Sequence, residues 1–178
     1  LRGIGQDYSV SMTPAREAVR RLIAEGALML SPSGRVATAE LNHDRIEELA
    51  AMRSLIEVEL ASRALPRAHL ALIDRLKTIN ASVSQAIVAH DPVSYIRTNL
   101  EFHRMLYLRA QAPAMLAIAE TVWLQLGPTM RSLYDKSNRK EPPYNHTAIL
   151  AALTAGDEPG LRLAVRSDVT NGLRHLLK

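Results

Sequence analysis

Apolar residues recur at spacings of three and four along most of this chain, the period of an amphipathic helix. In "SMTPAREAVRRLIAEG", Ala15, Ala18, Val19, Leu22 and Ile23 fall on one face, while Arg16, Arg20 and Arg21 point elsewhere. Ser11 is placed to cap this helix, Thr13 and Pro14 fall in its first turn, where a missing N–H is harmless, and Gly26 stops it. Ahead of it, Leu1 to Gln6 reads as the remnant of a helix and "DYSVS" as a polar turn. Behind it, "ALML" and "RVATAE" are short strand candidates on either side of the turn-rich "SPSG", and together they predict a β-hairpin.

From Asn42 onward the pattern changes to long amphipathic helices, placed at 43–64, 67–89, 92–110, 112–136, 142–155 and 157–177. Their breaks fall at Pro66, at "HDP" around Asp91, at "AQAP" before Ala114, at "SNRKEPP" and at "AGDEPG". The change of pattern near "AELN" divides the chain into a small module, residues 1–40, and a larger helical one, residues 41–178. The fold expected is mainly α.

Composition sharpens this reading at four points. Hydrophobic residues are 47% of the chain but aromatics only 4%, with 8 Gly in 178 residues, which favours helices over sheets. The absence of Cys excludes a disulfide framework and a thiolate metal site, so a metal would be held by His, Asp, Glu or Asn. No apolar run approaches the ~20 residues that span a bilayer, and no leader pattern opens the chain, so a cytoplasmic protein without a membrane partner is expected. A net charge of +4 hints at a polyanionic partner, although residues 1–40 hold five Arg against four acids and are barely positive by themselves.

The polar turn, the capped "TPAREAVRRLIAEG" helix and the hairpin, in that order, closely resemble the winged helix-turn-helix of GntR-family transcription regulators. The likeness is carried without gaps by Val10, Ser11, Thr13, Pro14, Arg16, Glu17, Ala18, Arg20, Arg21 and Leu22. It implies that the helix enters the major groove of an operator. There an Arg grips guanine, while hydroxyls and helix N-terminal N–H groups hold phosphates. The contacts implied are Ser11, Thr13 and Arg16, with Arg2 on the backbone and Ser33 and Gly34 at the wing tip. Arg20 and Arg21 could instead serve the junction with the second module. Two departures stand out: Met12 replaces the family's usual Arg, and Ser9 its usual turn Gly. The chain starts at Leu1, so the winged module is read as incomplete at its front.

Residues 43–178 resemble the FCD effector domain of the FadR-type branch, an antiparallel helical bundle. The markers are "IEELAAMRSLIEVELA", "NLEFHRMLYLRAQAPAML", "YNHTAILAALTAGD" and the final helix. Six helices point to the shorter, VanR-like form. Asn99 and His103 stand four apart, on one helical face. By the resemblance they join His146 and Asp168 in holding a divalent metal, where the family has one Asp and three His. Two imidazoles, a carboxylate and an amide oxygen suit Zn, Ni, Mn or Fe. The alternative is a pair of buried histidines hydrogen-bonded to Asp168 or to backbone. His175 could substitute as a ligand.

Arg53, in "MRSLIE", falls where the family has an Arg facing the effector, and a guanidinium there can grip a carboxylate; the alternative is an ion pair with Glu57. Tyr95, Tyr107, Trp123 and Arg131 are further candidates for the cavity wall. The function expected is a homodimeric regulator, a repressor in the commoner family mode. It would bind a palindromic double-stranded operator and respond to a small organic acid. Two rivals share the pattern: a metal-dependent enzyme, for which Glu101 faces away from His103, and a dimerisation protein whose DNA-binding part is vestigial.

Overall fold

The computed structural model describes the backbone of residues 2–39, 41–136 and 144–174, and the side chains within those ranges apart from 2, 128–136, 144 and 172–174. Helix α1 (Arg2–Asp7) and helix α2 (Met12–Ala24) meet through a tight turn. The Val10 N–H donates to the Gly5 carbonyl at 2.9 Å, and a Cβ on Gly5 would lie 3.0 Å from the Val10 oxygen, so the helices approach as closely as a glycine allows. Ser9 takes φ +53° in this turn. The turn therefore does use a left-handed residue, and serine holds it with the Cβ crowding that glycine would avoid.

Ser11 has the extended backbone of an N-cap, as expected, but its hydroxyl makes no capping bond. A cap side chain accepts from the second or third helical N–H, and the third position is Pro14, which has none, so only the Thr13 N–H remains for Ser11 to accept. The hairpin forms from β1 (Leu28–Leu30) and β2 (Val36–Thr38), with Met29 opposite Ala37. Its tip closes by Gly34 N–H to Ser31 O at 2.8 Å, with Gly34 at φ +75°.

The bundle begins at α3 (His43–Ala64), capped by Asn42, whose side chain accepts from the Arg45 N–H at 2.9 Å. It continues through α4 (Leu70–Val88), α5 (Pro92–Tyr107), α6 (Pro113–Lys136), α7 (Tyr144–Ala155) and α8 (Glu158–Arg174). Two predicted boundaries move. Pro66 is absorbed in a 3-10 turn, Leu65–Arg67, and His69 caps α4 by accepting from the Leu72 N–H, so that helix starts three residues later than position 67. At the other break α5 ends at Tyr107, and a second 3-10 turn, Leu108–Ala110, leads to Gln111 at φ +53°.

Helix α3 runs through the middle, packed on α6 and α8; α4 lies on α5 and α7, and α7 on α8. The main core gathers Leu60, Leu76, Phe102, Leu106, Leu161 and Val165 from four of these helices, all fully buried. A smaller cluster of Leu49, Val122 and Leu126 continues it along the α3–α6 seam toward the winged module. No helix among the described residues is long and apolar enough to cross a membrane.

Candidate functional site

Helix α2 packs through Ala15 and Val19, which are buried, and leaves Ser11, Thr13, Arg16, Arg20 and Arg21 exposed. Arg21 is held by Glu25 one turn along, Nε to Oε1 at 2.7 Å. At the wing tip, Ser33 Oγ lies 2.9 Å from Ser31 Oγ beside the exposed Gly34. Arg2 belongs to α1, and its side chain lies outside the described ones.

Inside the bundle, polar side chains occupy stripes that are otherwise apolar. On α3, Arg53 and Glu57 follow Leu49 and precede Leu60 on the buried face. Glu57 is fully buried and accepts four hydrogen bonds from three residues. Arg53 donates through Nε at 2.5 Å and Nη2 at 3.2 Å, the Trp123 indole through Nε1 at 2.7 Å, and the Tyr107 hydroxyl at 3.1 Å. Burial pulls the Arg53 guanidinium down, but the charge and hydrogen bonds of Glu57 outweigh it and raise its pKa above the ordinary value. Burial and the Glu57 charge push the Tyr107 phenol well up, so it stays a donor.

On the far side of Tyr107 from that carboxylate, His103 of α5, one turn before Tyr107, converges with His146 of α7 and Asp168 of α8. Both rings are buried and the carboxylate is 17% exposed. His103 Nε2 lies 3.1 Å from Asp168 Oδ2 and 3.3 Å from His146 Nε2, and His146 Nε2 lies 4.0 Å from Asp168 Oδ1. Phe102 stacks on the His146 ring at 4.0 Å and fixes its plane. Burial alone would raise the Asp168 carboxyl. The hydrogen bond and charge of His103, with the charges of His146 and Arg53, win and hold it well below the usual range.

The outer nitrogens have partners of definite sense. The Tyr107 hydroxyl gives its proton to Glu57, so its oxygen is left to accept from His103 Nδ1 at 3.2 Å. Asn80 Oδ1 accepts from His146 Nδ1 at 3.1 Å. With both protons on Nδ1, two Nε2 lone pairs and a carboxylate face one another with no proton of their own. Such a set repels itself unless a cation lies between or, without one, a further proton on Nε2 gives His103 its hydrogen bond to Asp168. Ligands about 2.0–2.2 Å from a metal stand about 3.3–3.6 Å apart at tetrahedral angles and about 2.8–3.1 Å apart at right angles, and the two shorter separations fall within these spans. The donor set therefore fits a divalent metal.

Three of the sequence-predicted ligands, His103, His146 and Asp168, lie together. Asn99 is buried on α5 one turn before His103, on the same face. Arg53 takes the ion pair with Glu57, and its charge also reaches Asp168. Tyr107 and Trp123 line this region, whereas Tyr95 packs elsewhere, with Val83 and Ile87. Glu101 is exposed beside Arg75 at 3.7 Å. The side chain of Arg131, and His175, fall outside the described residues. The readings from sequence missed Asn80, and of Glu57 they saw the pairing with Arg53 but not the bonds from Tyr107 and Trp123. A signal existed for both, because each is a polar residue in register with an apolar stripe, Asn80 lying between Leu76 and Val83.

A helix-turn-helix with a β-wing on a helical bundle that converges two imidazoles and a carboxylate defines a class, and the FCD domain family matches residues 48–171. The chain belongs to that family, within the GntR-type transcription regulators. It is 29% identical over 166 residues to the HTH-type transcriptional regulator McbR of Escherichia coli (strain K12), covering 90% of this chain and 74% of that protein. The solved structure of E. coli McbR/YncC superposes with a TM-score of 0.87 at 23% identity, over 97% of this chain and 83% of that one. A GntR-type protein from Rhodococcus sp. RHA1 gives 0.77 at 19% identity, over 99% and 85%.

Proposed function

We propose that this chain is a ligand-responsive, homodimeric repressor of the cytoplasm, whose winged module binds a palindromic duplex and whose bundle senses a small organic acid beside a divalent metal. The observation that carries the DNA half is the first turn of α2: Ser11 and Thr13 are exposed, the Ser11 hydroxyl makes no cap bond, and Arg16 stands on the same open end. Hydroxyls, helix N-terminal N–H groups and a guanidinium are the groups that hold phosphate and guanine. Ser33 and Gly34 supply a slender wing tip, and Arg2 a backbone contact.

In the sensing half, His103, His146 and Asp168 hold the metal, with Asn99 as a fourth donor, and Zn, Ni, Mn or Fe suits the set. The metal supplies a Lewis-acidic centre for one carboxylate oxygen of the effector. Among the described residues Glu57 engages Nε and Nη2 of Arg53, and Nη1 would meet the same carboxylate. Effector binding favours one arrangement of the DNA-reading heads over another, and DNA disfavours effector by the same factor.

Selection of genomic fragments by the purified protein, followed by affinity measurement across salt concentrations, tests the reading. A palindromic consensus and a steep log-log salt slope are expected, with weakening on addition of one organic acid in the presence of metal. Sequence-blind binding would overturn it.

A further inference from the structure

We propose that Glu57 is a positioning residue for the metal centre: acting through the Tyr107 hydroxyl, it draws the His103 proton toward Nδ1 and so aims the Nε2 lone pair at the ion. The inference rests on the metal reading above, and it concerns a residue that touches neither metal nor effector.

The chain of bonds has a single consistent sense. Glu57 is fully buried, and as a carboxylate it can only accept. Four donor atoms surround it, from Arg53, Trp123 and Tyr107. The Arg53 guanidinium, with its pKa raised, keeps that carboxylate paired with a permanent charge. Tyr107 must therefore spend its one proton on Glu57, which leaves only oxygen lone pairs for His103 Nδ1, 3.2 Å away. The neutral ring has one proton and an acceptor at each nitrogen, Asp168 Oδ2 at Nε2 and the Tyr107 oxygen at Nδ1; by making that oxygen an acceptor, Glu57 draws the proton toward Nδ1.

Were Glu57 unable to accept, the hydroxyl would be released to turn its proton toward Nδ1. His103 would then carry its own proton on Nε2, directed at Asp168 Oδ2, 3.1 Å away. That tautomer caps the very lone pair a metal needs. Asn80 performs the matching task for His146 through its side-chain oxygen, so the two rings are set from two different helices, α3 and α4. Outer partners of this kind alter metal affinity about 10–100-fold when removed.

The test is a long-range proton–nitrogen correlation on the imidazoles of metal-free protein, together with Zn²⁺ affinity by competition with a chromophoric chelator. Wild type is expected to hold more of the His103 proton on Nδ1 than a variant in which the Tyr107 hydroxyl is absent or released. Glu57→Gln and Tyr107→Phe are expected to move it, wholly or in part, to Nε2 and to weaken Zn²⁺ binding by about 10–100-fold. Trp123→Phe is the control: it also removes a hydrogen bond to Glu57 but leaves Tyr107 oriented, so it is expected to keep both the tautomer and the affinity. A loss of affinity as large in Trp123→Phe as in Tyr107→Phe, or one tautomer ratio shared by wild type, Glu57→Gln and Tyr107→Phe, would overturn the proposal. The tautomer is read without metal, so absence of Zn²⁺ binding by wild type would sink the metal reading separately. Should Glu57→Gln not fold, Tyr107→Phe decides the matter.

Discussion

Gly26, at the end of helix α2, lies against the side chain of Gln125 on helix α6. A Cβ on this glycine would come within 3.2 Å of Gln125 Cδ, and Arg45 Nη2 pins the Gln125 amide oxygen at 2.7 Å. The end of the helix assigned to the DNA groove thus rests on the same α3–α6 seam that carries Trp123 and Glu57 deeper in the bundle. Gly26 has φ +77°, so Gly26→Ala is expected to cost about 1–2 kcal/mol from backbone strain, plus a displacement of Gln125. Gly26→Ala with Gln125→Ala should recover only the second part by urea unfolding, and Gln125→Ala alone should reduce the effect of the organic acid on DNA affinity. An unchanged effector response in that variant would remove the seam from the coupling route.

The Arg53–Glu57 pair is 6% and 0% exposed, deep enough for its charges to matter. Arg53→Met leaves a buried carboxylate with only Tyr107 and Trp123 as donors, and a loss of about 3–5 kcal/mol is expected. Replacing both members of a buried pair by apolar residues often restores stability. Here Arg53→Met with Glu57→Leu is expected to restore only part of it, because the Trp123 indole would lose its acceptor at about 1–3 kcal/mol, whereas the Tyr107 hydroxyl can turn to His103 Nδ1. Full recovery of the unfolding midpoint in the double variant would contradict this account of the network.

Most of this architecture was legible in the spacing of apolar residues. Ala15 and Val19 on α2, or Leu49 and Leu60 on α3, announce which face packs, and the breaks at Pro66 and Asp91 announce where helices stop. The helix ends were less legible because they depend on who caps whom: His69 takes a cap that an apolar count cannot see, and Pro14 has no N–H to offer Ser11. Within the centre, His103 and Asp168 came from family resemblance rather than from spacing, since they lie 65 positions apart on different helices. Glu57 was visible only as a partner for Arg53, because its bonds to Tyr107 and Trp123 reach 50 and 66 residues along the chain. Long-range hydrogen bonds leave no periodic trace.

Asp168 gives the metal-free protein a characteristic acid response. Its folded pKa lies below the ordinary 3.8, so the carboxylate contributes stability above that value and loses it as pH falls further. Chemical denaturation through the acid range, with chelator present, is expected to show this loss in wild type and a flatter limb in Asp168→Asn. The variant should also be less stable than wild type at neutral pH, where the charge beside His103, His146 and Arg53 is missing. Equal acid limbs in the two proteins would mean that these neighbours do not hold the carboxyl down.

Metal binding to the folded state alone should appear as thermal stabilisation. At a free metal concentration a hundredfold above Kd the gain is about 2.7 kcal/mol, or roughly 5–11 °C for a chain of this size. Chelator is expected to reverse it, and His146→Ala or His103→Ala to abolish it. Asn99→Ala should reduce the shift without removing it, since the two imidazoles and the carboxylate remain. A shift that survives His103→Ala would place the ion elsewhere.

The arginines of α2 should separate by their neighbours. Arg21 is already engaged by Glu25, whereas Arg16 stands exposed one turn from the helix start. Arg16→Ala is expected to weaken the best operator by about 5–150-fold, corresponding to roughly 1–3 kcal/mol for a bidentate base contact, and to relax preference at one position of each half-site. Arg21→Ala should act weakly and equally on all sequences. Met12, 38% exposed at the first position of the helix, gives the converse experiment. Met12→Arg adds a cation beside the phosphates, so tighter binding is expected, with a salt slope steeper by about 0.9 per new contact. Fluorescence anisotropy on one labelled operator at several salt concentrations reads all three variants. An operator affinity untouched by Arg16→Ala would take this helix out of the groove.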